Sequence, residues 1–311
     1  MATTRCRGGV VSDVVVKALR ELIPAGAARG ELDRGGRTLR WVEAGAGSTT
    51  VVLDAASGTP GLTWAPVLPV LAKHLRVIVY DRAGLGMSDP AIPLAVETSV
   101  EDLIALLVAV GQGPCVLVGS SWGGLLAQRV AWAVPELISG LVLVDPAHEE
   151  FHPLVGRLAD EAFARLFAMQ KALGLAERSI RKSALRAAQV ATGDRRVQEL
   201  LIDAELACYG HKHQMRTAMA ENRMVRDQIF VFRRLRASSQ LPDVPVTVLS
   251  ATEGLPKGMR AQWSTLQAQI AAVAERGEYL VVPEAGHYIH QSQPEVVTKA
   301  VLSVVERAGL G

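Results

Sequence analysis

Short apolar runs alternate with helical segments along most of this chain, and that alternation limits the folds open to it. Strands are predicted at 38–43, 50–54, 76–81, 115–119, 140–145, 244–250 and 278–282. Helices are predicted between and after them, at 64–74, 96–110, 122–134, 257–274 and 294–307. Apolar runs without polar alternation are typical of strands buried on both faces. The pattern therefore predicts an α/β fold, with a mostly parallel sheet covered by helices.

The alternation stops between the strands at 140–145 and 244–250. The sequence there is rich in Ala, Leu, Arg, Gln and Met with helical spacing and has almost no β-branched runs. We call residues 148–240 the insert. They divide a sheet-based core into residues 29–147 and 241–311, and residues 1–28 form an N-terminal extension with a short helix at 14–23.

Composition and charge exclude several classes of protein. The 311 residues are 49% hydrophobic, and 33 Lys and Arg against 31 Asp and Glu give a net charge of +2. This balance argues against a disordered chain and gives no electrostatic reason to expect nucleic acid as a partner. No apolar run approaches the roughly 18 residues of a membrane span. With three widely spaced cysteines and no secretory signal, we expect a cytoplasmic protein.

The sharpest local signal is a G-x-S-x-G sequence, Gly119-Ser120-Ser121-Trp122-Gly123, between an apolar strand and a helix. A serine on such a sharp strand-to-helix turn projects its hydroxyl above the sheet, and small glycines allow neighbouring segments to approach the turn. The start of the helix also directs backbone N–H groups toward an oxyanion that forms beside the serine. We predict that Ser121 is a nucleophile.

A serine nucleophile needs a general base, and a candidate lies in Gly286-His287, directly after the strand at 278–282. Loops at the carboxyl ends of strands are where parallel sheets build their sites. We predict that His287 is the base. His290 could pair with it at a metal, but no third ligand with suitable spacing follows, so no metal is expected.

Together these motifs resemble the α/β-hydrolase family from about Glu31 to the C-terminus. The segment 81–88 reads D-R-x-G-x-G-x-S, similar to the turn after the family's fourth strand, and Trp64 matches an aromatic often found beyond its oxyanion loop. The resemblance implies a mostly parallel eight-stranded sheet with a helical cap inserted after the sixth strand, which makes the insert that cap. It implies no cofactor, and it implies a catalytic triad in the order Ser, acid, His.

The acid departs from the commonest family pattern. Most members carry an Asp after the seventh strand, where this chain reads Ser250-Ala-Thr-Glu253-Gly. A subset similar to many haloalkane dehalogenases takes its carboxylate from the end of the sixth strand, and Asp145 stands there. A buried carboxylate is needed to orient the imidazole and stabilise the imidazolium. We therefore predict Asp145 as the acid, with Glu253 as the alternative.

The resemblance also implies an oxyanion hole built from two backbone N–H groups. One belongs to the residue after the nucleophile, Trp122, and the other to the loop after the third strand. Many members have His-Gly in that loop, but this chain has Ala55-Ala56-Ser57. Aligning Ala55-Ala56 with His-Gly makes the N–H of Ser57 the second donor.

The expected function is hydrolysis of a carboxylic ester or lactone through an acyl-enzyme. The apolar composition of the insert favours a small to medium, largely apolar substrate. The same triad also suits an acyltransferase, a C–C bond hydrolase or a haloperoxidase-like enzyme, and the pocket alone suits a ligand-binding protein. A small-molecule substrate is the expected partner, with no nucleic acid and no membrane. The oligomeric state stays open, a homodimer included.

Overall fold

The computed structural model describes residues 5–151, 169, 175–211 and 213–310. Its strands are β1 Ala27–Asp33, β2 Thr38–Ala44, β3 Thr50–Asp54, β4 Arg76–Asp81, β5 Cys115–Ser120, β6 Ile138–Val144, β7 Pro245–Ala251 and β8 Arg276–Val282. They form one eight-stranded sheet in the order β1-β2-β4-β3-β5-β6-β7-β8. Pairing is antiparallel for β1 with β2 and for β2 with β4, and parallel from β4 through β8. The predicted α/β fold is confirmed.

The apolar runs occupy the centre of the sheet. Every residue of β3, β5 and β7 is buried, as expected of strands covered on both faces. Consecutive residues point into opposite cores: Val51 and Leu53 belong to one apolar cluster and Val52 to the other. The edge strands β1 and β8 expose most of their residues. Because β1 has few apolar residues, the apolar pattern did not predict it.

Helices cover both faces of this sheet. They are α1 Arg5–Leu22, α2 Leu68–Leu71, α3 Val96–Val110, α4 Trp122–Ala133, α5 Leu175–Ala191, α6 Arg195–Gly210, α7 Gln214–Asp227, α8 Ile229–Ser238, α9 Lys257–Ala272, α10 Ile289–Ser292 and α11 Pro294–Arg307. The core on one face includes α1 and α11, and the core on the other includes α3, α4 and α9. Among the described residues, no helix has both the length and the apolar character needed to cross a membrane.

Two predicted helices differ from those observed. The segment predicted as a helix at 64–74 is a buried 3-10 helix at Gly61–Val67 followed by the single turn α2. Pro66 lies inside the 3-10 helix and Pro69 near the start of α2, and a proline has no N–H for the α-helical hydrogen-bond pattern. The N-terminal helix α1 begins well before the predicted 14–23 segment.

The four helices α5 to α8 lie in the insert, between β6 and β7 in sequence. Residues 152–168 and 170–174 of the insert are outside the described part of the chain. The N-terminal helix α1 packs against α6 of the insert and against β1. Its buried residues Val15 and Leu19 join the same core as α11.

The two faces of α3 give a test of the packing. Leu103 is 0% exposed in the core that α3 shares with α4, whereas Val108 on the same helix is 64% exposed. We expect Leu103→Ala to lower the free energy of unfolding by about 2–5 kcal/mol, because it removes buried methyl groups and leaves a cavity. The control Val108→Ala should change it by less than about 0.5 kcal/mol. Urea unfolding followed by circular dichroism measures both, and equal losses would contradict this packing.

Candidate active site

Ser121 lies at the turn between β5 and α4, and its backbone is strained. Its φ of 51° and ψ of −112° are values that non-glycine residues rarely adopt. The motif glycines on either side lie in tight contacts. A Cβ on Gly119 would lie 2.4 Å from the carbonyl oxygen of Gly123, and a Cβ on Gly123 would lie 2.6 Å from that of Ala55. The two glycines of G-x-S-x-G are therefore required by backbone packing.

Left-handed backbone conformations mark all three loops that carry the predicted triad. Among the described residues, the non-glycine positions with positive φ are Ser121 at 51°, Asp145 at 42° and Glu284 at 58°. They follow β5, β6 and β8, and Glu284 precedes His287 in its loop. Such conformations cost about 1–3 kcal/mol each and persist only where the surroundings enforce them.

Backbone hydrogen bonds tie the turn at Ser121 to the loop that carries Asp145. The N–H of Ser121 donates to the carbonyl of Val144 over 3.1 Å, and the N–H of Ala147 donates to the carbonyl of Ser121 over 2.9 Å. The N–H of Asp145 in turn donates to the carbonyl of Leu249 in β7 over 2.7 Å. The carboxyl ends of β5, β6 and β7 are thus held together at one edge of the sheet.

Asp145 and His287 meet at this edge. The distance from Oδ2 of Asp145 to Nδ1 of His287 is 2.6 Å, and the Asp145 side chain is fully buried while that of His287 is 35% exposed. The imidazole also lies edge-on to Trp263, with ring centroids 5.8 Å apart. The aspartate and the indole thus both constrain the orientation of the imidazole.

The second carboxylate oxygen of Asp145 accepts several hydrogen bonds. Oδ1 accepts from the N–H of Ala251 at 3.1 Å, from Trp263 Nε1 and Gln267 Nε2 at 3.0 Å each, and from Arg260 Nη1 at 3.4 Å. Burial by itself raises the pKa of Asp145, but the bonds from His287, Gln267 and Ala251 outweigh it and hold that pKa below its ordinary value. The carboxylate is therefore ionised at neutral pH.

Arg260, Trp263 and Gln267 had not been predicted as site residues. They lie three and four positions apart on α9, so their side chains share one face of that helix. A buried face that carries polar side chains is unusual in a helix packed on a sheet, and this was the signal available in the sequence.

The alternative acid, Glu253, has an exposed side chain. Its backbone helps to shape the site, because its N–H donates to the carbonyl of Ala285 over 2.9 Å and its carbonyl accepts from Arg260 Nη2 over 2.5 Å. Within the described part of the chain, the carboxylate that contacts His287 is that of Asp145.

The two predicted oxyanion donors come from neighbouring segments. Trp122 is the first residue of α4, and Ser57 lies in the loop after β3. That loop packs on the start of α4, since a Cβ on Gly123 would lie 2.6 Å from the carbonyl oxygen of Asp54 as well as that of Ala55. The Ser57 hydroxyl donates to Oδ1 of Asn222 in α7 at 2.7 Å.

His290 does not resemble a general base. It is fully buried, its ring lies 4.1 Å from that of Trp64, and neither ring nitrogen has a hydrogen-bond partner in the described structure. Burial lowers the pKa of His290 to about 3, so the ring is neutral at physiological pH. Among the described residues, no group of three or more His, Cys, Asp or Glu side chains is arranged to hold a metal ion.

Comparison with known proteins identifies the family to which this chain belongs. The model of the Alpha/beta hydrolase family matches residues 45–300. RutD from Pantoea ananatis, provisionally named a carbamate hydrolase, is 36% identical over 102 residues, which are 32% of this chain and 37% of that protein. BpoC from Mycobacterium tuberculosis, provisionally named a non-heme bromoperoxidase, is 28% identical over 260 residues, 81% of this chain and 92% of that one.

A solved structure, that of Cfl2 from Burkholderia cenocepacia, shares the fold. The superposition has a TM-score of 0.71 at 23% identity and covers 89% of this chain and 95% of that one. At this identity the likeness concerns the fold alone. The family model, in contrast, spans most of the sequence, from ahead of β3 to within α11. The chain belongs to the alpha/beta hydrolase family.

Proposed function

We propose that the protein is a serine hydrolase that cleaves a carboxylic ester or lactone through an acyl-enzyme. One observation carries the proposal: the buried Asp145 carboxylate contacts Nδ1 of His287 at 2.6 Å, at the sheet edge where Ser121 occupies its strained turn. A carboxylate on Nδ1 leaves Nε2 of the imidazole free to take a proton from a serine hydroxyl. We further propose that its substrate is small to medium-sized and largely apolar.

In the proposed reaction, Ser121 Oγ attacks the substrate carbonyl while His287 Nε2 takes its proton. The backbone N–H groups of Trp122 and Ser57 stabilise the negative charge that develops on the carbonyl oxygen. His287 returns the proton to the leaving oxygen, and a water molecule, activated by the same imidazole, then releases the acyl group.

The surroundings of Asp145 suit the role of triad acid. With Oδ1 engaged by α9 and β7, Oδ2 has one orientation available and presents itself to Nδ1. The lowered pKa keeps Asp145 charged when His287 becomes an imidazolium. That charge selects the productive tautomer and stabilises the positive ring.

The first test is covalent labelling of Ser121 with an activated phosphonate, followed by intact-mass measurement. We expect one adduct on the wild type and none on Ser121→Ala, because the phosphonate requires an activated hydroxyl. Ser120→Ala is the matched control. Its neighbouring hydroxyl is buried and has no hydrogen-bond partner in the described structure, so its removal should leave labelling unchanged. An adduct on Ser121→Ala would contradict the nucleophile assignment.

The second test separates the two candidate acids. We expect Asp145→Asn to lower kcat for ester hydrolysis by about 10³- to 10⁴-fold, because the amide no longer selects the productive tautomer of His287. Glu253→Gln should leave kcat within about twofold, because its side chain is exposed and the carboxylate that contacts His287 is that of Asp145. The opposite ranking would make Glu253 the acid.

A substrate panel tests the reaction class. We expect turnover of apolar esters or lactones, identified by mass spectrometry as the acid and alcohol of an ester or the hydroxy acid of a lactone. Carbamates belong in the panel because a relative is provisionally named a carbamate hydrolase and a carbamate carbonyl can be attacked by the same serine. Turnover of carbamates alone would replace the ester and lactone assignment and retain the nucleophile.

A further inference from the structure

A buried arginine, Arg82, lies beneath the loop that carries the second oxyanion donor. It is 3% exposed and follows β4 in the D-R-x-G-x-G-x-S turn. Its Nη1 donates to Asp54 Oδ1 and, over 2.7 Å, to the carbonyl of Ala55. Its Nη2 donates to the carbonyl of Ala56 over 2.7 Å, and Nη2 and Nε donate to Glu221 over 2.9 and 2.7 Å. All five N–H donors of the guanidinium are thereby used.

The contact with Ala56 bears directly on the oxyanion hole. The carbonyl of Ala56 and the N–H of Ser57 belong to one planar trans peptide and point in opposite directions. That carbonyl accepts from Arg82, from the Thr59 N–H over 3.2 Å and from the Thr59 hydroxyl over 2.9 Å. Holding the carbonyl therefore fixes the direction of the Ser57 N–H. The positive charge of Arg82 beside the carbonyl also polarises the peptide and strengthens that N–H as a donor.

A glutamate of the insert, Glu221, contacts both Arg82 and the peptide that follows Ser57. Glu221 in α7 is fully buried, and besides Arg82 its Oε2 accepts the N–H of Gly58 over 2.6 Å. The peptides on both sides of Ser57 are thus held, one by Arg82 and one by Glu221. Glu221 also accepts two hydrogen bonds from the Arg82 guanidinium, which fixes the orientation of that group. The two peptides are therefore held by one connected ion pair.

Other residues of α7 also contact the loop after β3 and the turn after β4 closely. Buried Gln214 donates to the carbonyl of Gly58 over 2.8 Å and accepts from the N–H of Gly86 over 2.9 Å. A Cβ on Gly58 would lie 2.4 Å from Cβ of Ala218, so only a glycine allows this approach. This part of the insert therefore packs on the oxyanion loop itself.

We propose that Arg82 and Glu221 are positioning residues that orient the Ser57 N–H toward the oxyanion, so that α7 of the insert is a component of the catalytic machinery. The inference rests on the proposed function, since it assumes an oxyanion at Ser121. It assigns neither side chain a contact with substrate. Both act through the backbone of residues 55–58.

The test compares Glu221→Gln with wild type in ester hydrolysis, with active sites counted by complete phosphonate labelling. We expect kcat per labelled site to fall about 10- to 100-fold with KM within about twofold, because a misdirected oxyanion donor weakens the transition state and leaves substrate binding unchanged. Glu199→Gln is the matched control. It alters another glutamate–arginine pair of the insert, whose side chains are exposed, and should match wild type.

Two further variants keep the test decisive if Glu221→Gln folds poorly. Arg82→Lys keeps the charge but cannot hold Ala55, Ala56 and Glu221 together, so its kcat should fall as well. Thr59→Val removes only the hydroxyl bond to Ala56 and should lower kcat per labelled site about fivefold, the effect of one hydrogen bond.

The outcomes separate this inference from the proposed function. Failure of wild type to label would remove the serine mechanism itself. Normal labelling of wild type, with kcat per labelled site unchanged in Glu221→Gln or in Thr59→Val, would overturn the positioning role alone. A lower melting temperature with unchanged kcat per labelled site would assign these residues to stability only.

Discussion

The candidate site depends on one buried charge, the carboxylate of Asp145. An ionised group without partners is very costly to bury, so this one requires donors on both oxygens. Those donors come from β7, from α9 and from the loop after β8. Satisfying a single carboxylate therefore fixes three segments relative to β6, and His287 takes its orientation from the same arrangement.

Arg82 extends the same principle to the other side of the turn at Ser121. Its guanidinium is buried between β3, β4 and α7, with Asp54 and Glu221 as its charged partners. Removing either partner would leave a buried charge unpaired, which is far more costly than losing an exposed pair. Ser121 thus lies between two charge networks, one that holds His287 and one that holds residues 55–58.

The sequence allowed the sheet and the strained serine turn to be predicted because both depend on local patterns. Buried parallel strands need apolar runs, and the turn at Ser121 needs small neighbours. The strand β1 was missed because an edge strand needs no such run, and the segment 64–74 was misjudged because its prolines shorten the helix. The partners of Asp145 on α9 lie over a hundred positions away, so the polar spacing on that helix could not show which residue they contact.

The same contacts account for the order of residues 55–58. The side chains of Ala55 and Ala56 provide no polar group to orient the peptides of this loop. In this protein the two alanine carbonyls are bound by Arg82 instead, and Arg82 is oriented by Glu221 from the insert. The order of this loop therefore depends on a buried ion pair with a helix that is distant in sequence. If α7 moved away from the core, Arg82 would lose its charged partner Glu221. The peptide between Ser57 and Gly58 would lose its hydrogen bond to the same carboxylate.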